Sequence, residues 1–235
     1  MRVIAAFVLS LAAAVSVYAA TFSVSPVRIF MKAQDRAVAV TLTNESDKPV
    51  VLQADIYNWT QKADGSDDLV PSEDLILSPP IVKLAPKARQ VVRLARLKPA
   101  DASRQLTYRL IMREIPEVTA PKDNIQVTVA LALSMPVFIT PAPAKRNVVC
   151  DASRGEADTL NVGCSNNGSA YAQVREVVVK QGERVLGRFE GGAYVLPGSR
   201  KVVPVKAENV APGTRLQLVV SYDDGRSDTF DVTIG

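Results

Sequence analysis

Large aliphatic side chains alternate with small or polar ones along much of this chain of 235 residues. The clearest alternation covers residues 125–134, in which the odd positions are Ile125, Val127, Val129, Leu131 and Leu133. A period of two predicts a β-strand that carries a continuous ridge of bulk on one face. Such a ridge is typical of a half-buried sandwich strand, or of a strand that is lent to another protein by addition to its sheet edge.

Similar alternations upstream predict a first set of strands, separated by turns rich in Pro, Gly and Asn. They cover residues 21–31, 37–43, 50–60, a strand near Leu75, 81–84, 89–97, 106–115 and 125–139. Roughly seven strands is the count of an immunoglobulin-like sandwich. Within 50–60, the alternation points Leu52, Ala54 and Ile56 inward.

Two smaller features of this half have competing interpretations. The acidic segment 63–68 resembles a calcium loop, but its carboxylates lack the required spacing and no Glu closes it, so a solvated hairpin loop is predicted. Trp59 is the only Trp of the chain and is predicted to be a packing residue.

A second set of strands follows a proline-rich connection. Residues 140–144 contain two prolines, which predicts a stiff, extended linker. The strands beyond it are predicted at 148–151, 160–165, 172–180, 185–189, 201–205, 216–222 and 229–234, with a hairpin turn at Asp224-Gly225. With 47% hydrophobic residues, the sequence therefore predicts an all-β protein of two sandwich domains, 20–140 and 141–235.

The N-terminus has the features of a secretory signal peptide. A cationic start at Met1-Arg2 precedes an almost wholly apolar run to Val17, and Ala19 is a small residue suited to the cleavage position. The run is shorter than the roughly 20 residues that a membrane-spanning helix needs. We therefore expect residues 1–19 to be removed, and the mature chain to be exported without membrane insertion.

Cysteine and histidine counts limit the chemistry. The chain has two cysteines, Cys150 and Cys164, and no histidine. Both cysteines fall in one predicted antiparallel pair of strands in an exported protein, so a disulfide is expected. Two cysteines without further soft ligands cannot form a zinc site, so no metal or cofactor is predicted.

The charge pattern also excludes several function classes. The formal net charge is +4, and the basic residues between 83 and 104 are interleaved with aliphatic rather than aromatic residues, so a nucleic-acid partner is not expected. Without histidine, a free thiol or a Gly-rich phosphate loop, the usual constellations of an enzyme are missing. The chain is predicted not to be an enzyme.

Several motifs carry a family resemblance. Residues 108–116, YRLIMREIP, are followed by the alternating strand and by Pro136-Val137-Phe138. This order resembles the signature of the PapD-like periplasmic chaperones of the chaperone-usher pilus pathway. Residues 26–30 resemble the opening strand of that family, and 84–94 resemble its middle. The resemblance covers most of the mature chain.

The resemblance implies a boomerang of two immunoglobulin-like domains that captures pilus subunits in the periplasm and delivers them to an outer-membrane usher. In the family, the last strand of the first domain completes the subunit's sheet. The residues that would fill the subunit's groove are Ile125, Val127, Val129, Leu131 and Leu133. A second copy of the chain is a further candidate partner, as a dimer in which the ridges cap each other.

The family also implies an anchor for the subunit's terminal carboxylate, and here the sequence departs from the pattern. Arg28 matches the arginine of the opening strand, but Pro136 occupies the position of the usual lysine. Arg89 and Arg93 are the candidates for the second cation, because a guanidinium suits bidentate contact with a carboxylate. For Arg93, a surface-facing strand residue is the competing interpretation.

Two further alternatives concern the branch and the class of protein. The cysteine pair and the segment 134–138 resemble the archaic branch of the family, which serves spore-coat-protein-U-like subunits. The alternative function is an immunoglobulin-like structural or adhesive fimbrial surface protein. A subunit, however, should be one incomplete domain with a donor extension, whereas this chain is predicted to have two complete ones.

Overall fold

A computed structural model describes residues 22–116, 129–208 and 210–235. Within these ranges the protein is all-β, with seventeen strands and no helix, as the sequence predicts. The signal peptide and the ridge residues Ile125 and Val127 lie outside the described residues.

The first ten strands form two facing sheets, which we call the first domain. They are β1 (Phe22–Ser25), β2 (Ile29–Lys32), β3 (Ala37–Asn44), β4 (Val50–Gln61), β5 (Asp67–Pro71), β6 (Leu75–Ser78), β7 (Ile81–Leu84), β8 (Arg89–Arg96), β9 (Leu106–Ile115) and β10 (Ala132–Thr140). One sheet has the order β1-β3-β8-β6. The other has the order β2-β10-β9-β4-β5, and β7 also pairs with β4.

Alternation of apolar and polar residues builds the core between these sheets. Leu52, Leu94 and Leu110 are fully buried, and each is flanked along its strand by more exposed residues. Ala54 and Ile56 pack against the same core, so the predicted inward face of β4 is confirmed.

The opening segment and the acidic loop differ from the prediction. The predicted strand 21–31 is two strands in different sheets, because the chain changes sheet at Pro26, which has no N–H to continue a ladder. The predicted loop 63–68 is a hairpin loop that ends in β5, a paired but largely exposed edge strand. The aspartates at the start of β5 made this segment resemble a loop in the sequence. Charged residues are, however, common on edge strands.

The remaining strands form the second domain, again as two sheets. They are β11 (Val148–Arg154), β12 (Thr159–Asn166), β13 (Ala172–Gln181), β14 (Arg184–Val195), β15 (Arg200–Lys206), β16 (Arg215–Tyr222) and β17 (Ser227–Thr233). The orders are β11-β12-β15 and β14-β13-β16-β17. β14 is longer than predicted, because glycines at 187, 191 and 192 interrupt its apolar alternation.

The predicted disulfide is present in the second domain. Cys150 on β11 and Cys164 on β12 are directly opposite each other, with their Cα atoms 4.1 Å apart, and are bonded. Both cysteines are buried in the core of this domain. The predicted Asp224-Gly225 hairpin is also present, between β16 and β17.

The connection between the domains is a turn rather than the extended linker predicted. The backbone N–H of Ala144 donates to the carbonyl of Pro141 over 3.1 Å. The turn lets the second domain fold back on the first, so that the rings of Phe138 and Tyr171 stack with their centroids 4.1 Å apart. Aromatic packing between the domains therefore determines the path of the connection.

Candidate strand-binding edge

β10 has an open edge along its first half. It pairs with β9 from Ala132 to Ile139, but it pairs with β2 only from Val137 onward. On the β2 side of residues 132–136, no strand of the described ranges provides a partner. Backbone groups on such an edge are available to pair with an added strand.

The aliphatic ridge lies partly in this domain and partly beyond it. Leu131 and Leu133 are half-buried and pack against the core of the first domain. Val129 precedes the strand and is 84% exposed. The odd-numbered face of β10 is the core-facing one, because Met135 and Val137 continue it into the interior. The ridge therefore leaves the core between Leu131 and Val129.

Arg28 lies where the open edge ends. It comes one residue before the first β2–β10 pair, Ile29↔Val137, and so stands next to Pro136. Its Nη1 donates to Gln173 Oε1 over 2.9 Å and to Asp223 Oδ2 over 2.8 Å, both in the second domain. The side chain keeps 40% of its surface exposed.

The charge of Arg28 is stabilised by its surroundings. Burial by itself lowers the pKa of Arg28, but Tyr194 and Asp223 outweigh this effect and raise it. Tyr171 donates its hydroxyl to the same Asp223 oxygen over 2.9 Å. Burial is the larger cause that raises the pKa of Tyr171, and the hydrogen bond to the Asp223 carboxylate raises it further. The phenol therefore stays protonated.

A second cation flanks Pro136 from the other side. Arg109 on β9 is directly opposite Pro136 on β10, and Arg28 directly precedes β2, the strand on the other side of β10. The guanidinium carbon of Arg109 lies 3.7 Å from the ring centroid of Trp59. Its Nη2 is 3.4 Å from Asp67 Oδ2, and burial lowers its pKa despite that carboxylate. The sequence analysis did not identify Arg109, although it lies in the YRLIMREIP motif.

The structure does not bring Arg89 and Arg93 to Arg28. Both lie on β8, in the sheet that does not contain β2, β9 or β10. Val92 and Leu94 fill the buried positions of β8, so the side chains of Arg89 and Arg93 are exposed on the outer face. Arg109, rather than Arg89 or Arg93, is the cation opposite Pro136, and Arg93 is exposed on the surface of its strand.

An aromatic cluster holds the second domain beside the open edge. Trp59, Phe138 and Leu196 are buried together, and Tyr171 and Tyr194 pack against them. The rings of Trp59 and Tyr194 meet edge to face at 5.1 Å. Trp59 is therefore a packing residue, as predicted, but it packs between domains rather than inside one.

Within the described part of the chain, no group of three or more His, Cys, Asp or Glu residues is placed to hold a metal ion. In the same residues, no helix is long and apolar enough to cross a membrane.

The described residues therefore form a two-domain β-sandwich protein whose first domain has an open strand edge, with Arg28 where that edge ends. Residues 21–145 match the family described as pili and flagellar-assembly chaperones, through its PapD N-terminal domain. The chain belongs to this family, so the resemblance seen in the sequence is confirmed. The alternative of a structural or adhesive surface protein is not supported.

Individual relatives agree with this assignment. The chain is 29% identical over 193 residues to an uncharacterized fimbrial chaperone, YbgP, of Escherichia coli K12, covering 80% of this chain and 73% of YbgP. It is 26% identical over 145 residues to a probable fimbrial chaperone, LpfB, of Escherichia coli O157:H7, covering 61% of this chain and 60% of LpfB.

A solved structure shares the fold. The crystal structure of the CsuC–CsuE chaperone–tip adhesion subunit complex, from archaic chaperone-usher Csu pili of Acinetobacter baumannii, includes a chain that matches with a TM-score of 0.67. The identity is 21%, and the match covers 92% of this chain and 100% of that one. At this identity the likeness concerns the fold alone.

Proposed function

We propose that this protein is a periplasmic chaperone that captures pilus subunits by strand addition at the open edge of β10 and passes them to an outer-membrane usher. The observation that carries the proposal is the edge itself, since residues 132–136 have a free side that ends beside Arg28. The predicted signal peptide at 1–19 supports export to the periplasm.

The cations determine the direction of the added strand. A subunit's terminal carboxylate would be bound by Arg28 and Arg109, on either side of Pro136. The strand that ends there runs along 132–136 with its carboxyl end towards Pro136, and is therefore parallel to β10. Charge-assisted hydrogen bonds at its end fix the register in which it pairs.

The exposed part of the ridge would fill the groove of the subunit. Val129, with the preceding Ile125 and Val127, would provide the bulk, whereas Leu131 and Leu133 stay partly in the chaperone's own core. Each fully buried aliphatic side chain contributes about 1.5–3 kcal/mol before ordering costs. Completion of the subunit's fold therefore supplies the energy, with no nucleotide and no catalytic step.

The partners follow from the same site. The CsuC structure holds a tip adhesion subunit of archaic pili, and a subunit of that branch, spore-coat-protein-U-like, is the partner that we propose for this chain. In the free chaperone, exposed Val129 gives a second copy of the chain a surface on which to dimerise.

Co-expression in the periplasm with a spore-coat-protein-U-like pilus subunit tests the function. Size-exclusion chromatography should recover a one-to-one complex with the wild-type chain and little complex with Arg28→Ala. Arg93→Ala is the matched control, because it removes a guanidinium from the outer face of the other sheet. A complex that survives Arg28→Ala, or that is lost equally in Arg93→Ala, would contradict the proposed anchor.

A further inference from the structure

Asp223 connects the second domain to the anchor of the first. It lies directly after β16, and its Oδ2 accepts hydrogen bonds from Arg28 Nη1 over 2.8 Å and from the Tyr171 hydroxyl over 2.9 Å. Its side chain is 17% exposed, whereas that of Arg28 is 40% exposed. Arg28 therefore already binds a carboxylate, although part of its own side chain remains exposed to solvent.

The other groups around this pair do not neutralise Asp223. Gln173, Tyr171 and Tyr194 are uncharged neighbours of Arg28 or Asp223. The nearby Arg146 pairs with the adjacent Asp224 rather than with Asp223. Within the described residues, Arg28 is the cation that forms an ion pair with Asp223.

The second cation of the anchor shows the same arrangement. Arg109 Nη2 is 3.4 Å from Asp67 Oδ2, so each guanidinium beside Pro136 has an internal carboxylate partner. The Arg109 pair is the longer of the two, and Asp67 belongs to the first domain. Asp223 lies closer to its guanidinium partner than Asp67 does, and it is the carboxylate that the second domain provides.

We propose that Asp223 is the residue that determines the affinity of the anchor, as an internal carboxylate that a subunit's terminal carboxylate displaces from Arg28. The inference rests on the proposed function. An incoming carboxylate is attracted by Arg28 and repelled by Asp223, whose Oδ2 lies 2.8 Å from Arg28 Nη1, so Asp223 offsets part of the attraction until it gives way. Displacement keeps binding reversible, which a chaperone that hands its subunit to a further partner requires.

Replacement of Asp223 tests the displacement. The probe is a labelled peptide with the sequence of the last strand of a spore-coat-protein-U-like pilus subunit, made as the free acid and as the C-terminal amide. Asp223→Asn keeps the shape and removes the charge, and should tighten binding of the free acid about tenfold in fluorescence anisotropy. Binding of the amide should stay unchanged.

Two variants serve as controls. Asp223→Glu retains the charge and should keep the affinities of the wild type, and Asp224→Asn removes the neighbouring carboxylate and should change neither peptide's affinity. Weaker binding of the free acid by Asp223→Asn would show that Asp223 positions Arg28, and would overturn the displacement. An equal change for acid and amide would overturn it too, as a merely structural effect.

Asp223→Asn could also disturb the docking of the two domains, and a change in the fluorescence emission of Trp59 would reveal this. A measurement on the wild-type protein tests the displacement in that case. With ¹³C-labelled aspartate, the carboxyl resonance of Asp223 should move on addition of the free acid and stay in place with the amide. If the free acid binds and the Asp223 resonance does not move, the displacement is overturned, but the proposed function is not. If the wild type binds neither peptide, the proposed function fails as well.

Discussion

Pro136 and Arg109 are directly opposite each other in the antiparallel ladder of β10 and β9. Arg28 stands on the other side of the same proline, because the β2–β10 pairing begins at the next residue of both strands. A proline can neither donate a hydrogen bond nor carry charge. The neighbouring strands therefore provide the positive charge that the proline lacks.

The first prediction concerns this arrangement. Arg109→Met keeps the length and packing of the side chain and removes its charge, and should weaken capture of a subunit about tenfold, through loss of a charge-assisted contact. Arg109→Lys retains a cation at the same position and should lose less affinity than Arg109→Met does. Titration by isothermal calorimetry would measure both effects. Equal affinities of the wild type and Arg109→Met would remove Arg109 from the anchor.

The second prediction separates the two parts of the ridge. Val129→Asp should leave the melting temperature unchanged and abolish subunit capture, since Val129 is 84% exposed. Leu131→Asp should lower the melting temperature, because Leu131 packs against the core and a buried charge without a partner is costly. Differential scanning calorimetry and co-purification report the two properties separately.

A control for the ridge is available on the other sheet. Val91 is 59% exposed on β8, so Val91→Asp should affect neither stability nor capture. If Val129→Asp captured subunits as well as Val91→Asp does, Val129 would have no part in the groove.

The third prediction concerns the disulfide. Cys150→Ala with Cys164→Ala should lower the free energy of unfolding of the second domain by about 3 kcal/mol, because the bond closes a short loop in the unfolded chain. The first domain, which has its own core, should retain its stability. Urea unfolding followed by hydrogen exchange can assign the loss to one domain. A loss shared equally by both domains would contradict the account.

The fourth prediction concerns acid stability. The hydrogen bond from Lys98 is the main cause that lowers the pKa of Asp74. Burial raises this pKa, but the hydrogen bond from the Tyr108 hydroxyl lowers it further, and the net effect is a lowered pKa. A carboxylate with a lowered pKa stabilises the fold above its unfolded pKa of about 4, and that contribution disappears as the pH falls through the folded value. Asp74→Asn should thus be less stable than the wild type at pH 7, and the difference should shrink at pH 3.

The size of this effect is limited by exposure. The Lys98 side chain is 69% exposed, so solvent screens the ion pair and its contribution to stability is small. Asp47→Asn serves as the control, since Asp47 is 92% exposed and its replacement should change stability little at either pH. A difference for Asp74→Asn that persists unchanged to pH 3 would exclude its carboxylate as the cause.

The sequence was sufficient for local structure. Alternation predicted the bounds of β9, Leu106–Ile115, because every second residue from Tyr108 to Met112 is buried. The same period runs through 125–134, of which 125–128 lie outside the described residues, and among the described residues β10 begins at Ala132 rather than at Val129. Alternation shows which side chains share a face, but it does not show where a strand loses its neighbour.

The composition of the anchor depended on tertiary structure. Arg109 is beside Pro136 only because β9 and β10 pair in one register, and Arg28 meets Asp223 across 195 residues of sequence. Arg89 and Arg93 have the same chemistry as Arg109 but lie on the other sheet. Residue type therefore suggested the kind of contact, and the docking of strands and domains decided which residues make it.

Photo-crosslinking from position 129 tests the central claim most directly. A benzoyl-phenylalanine introduced in place of Val129, in periplasm that also contains a spore-coat-protein-U-like pilus subunit, should give a covalent chaperone–subunit adduct on irradiation. The same group in place of Val91 should give none, because that residue faces outward from the other sheet. An adduct from position 91 and none from position 129 would show that subunits bind elsewhere on the chaperone.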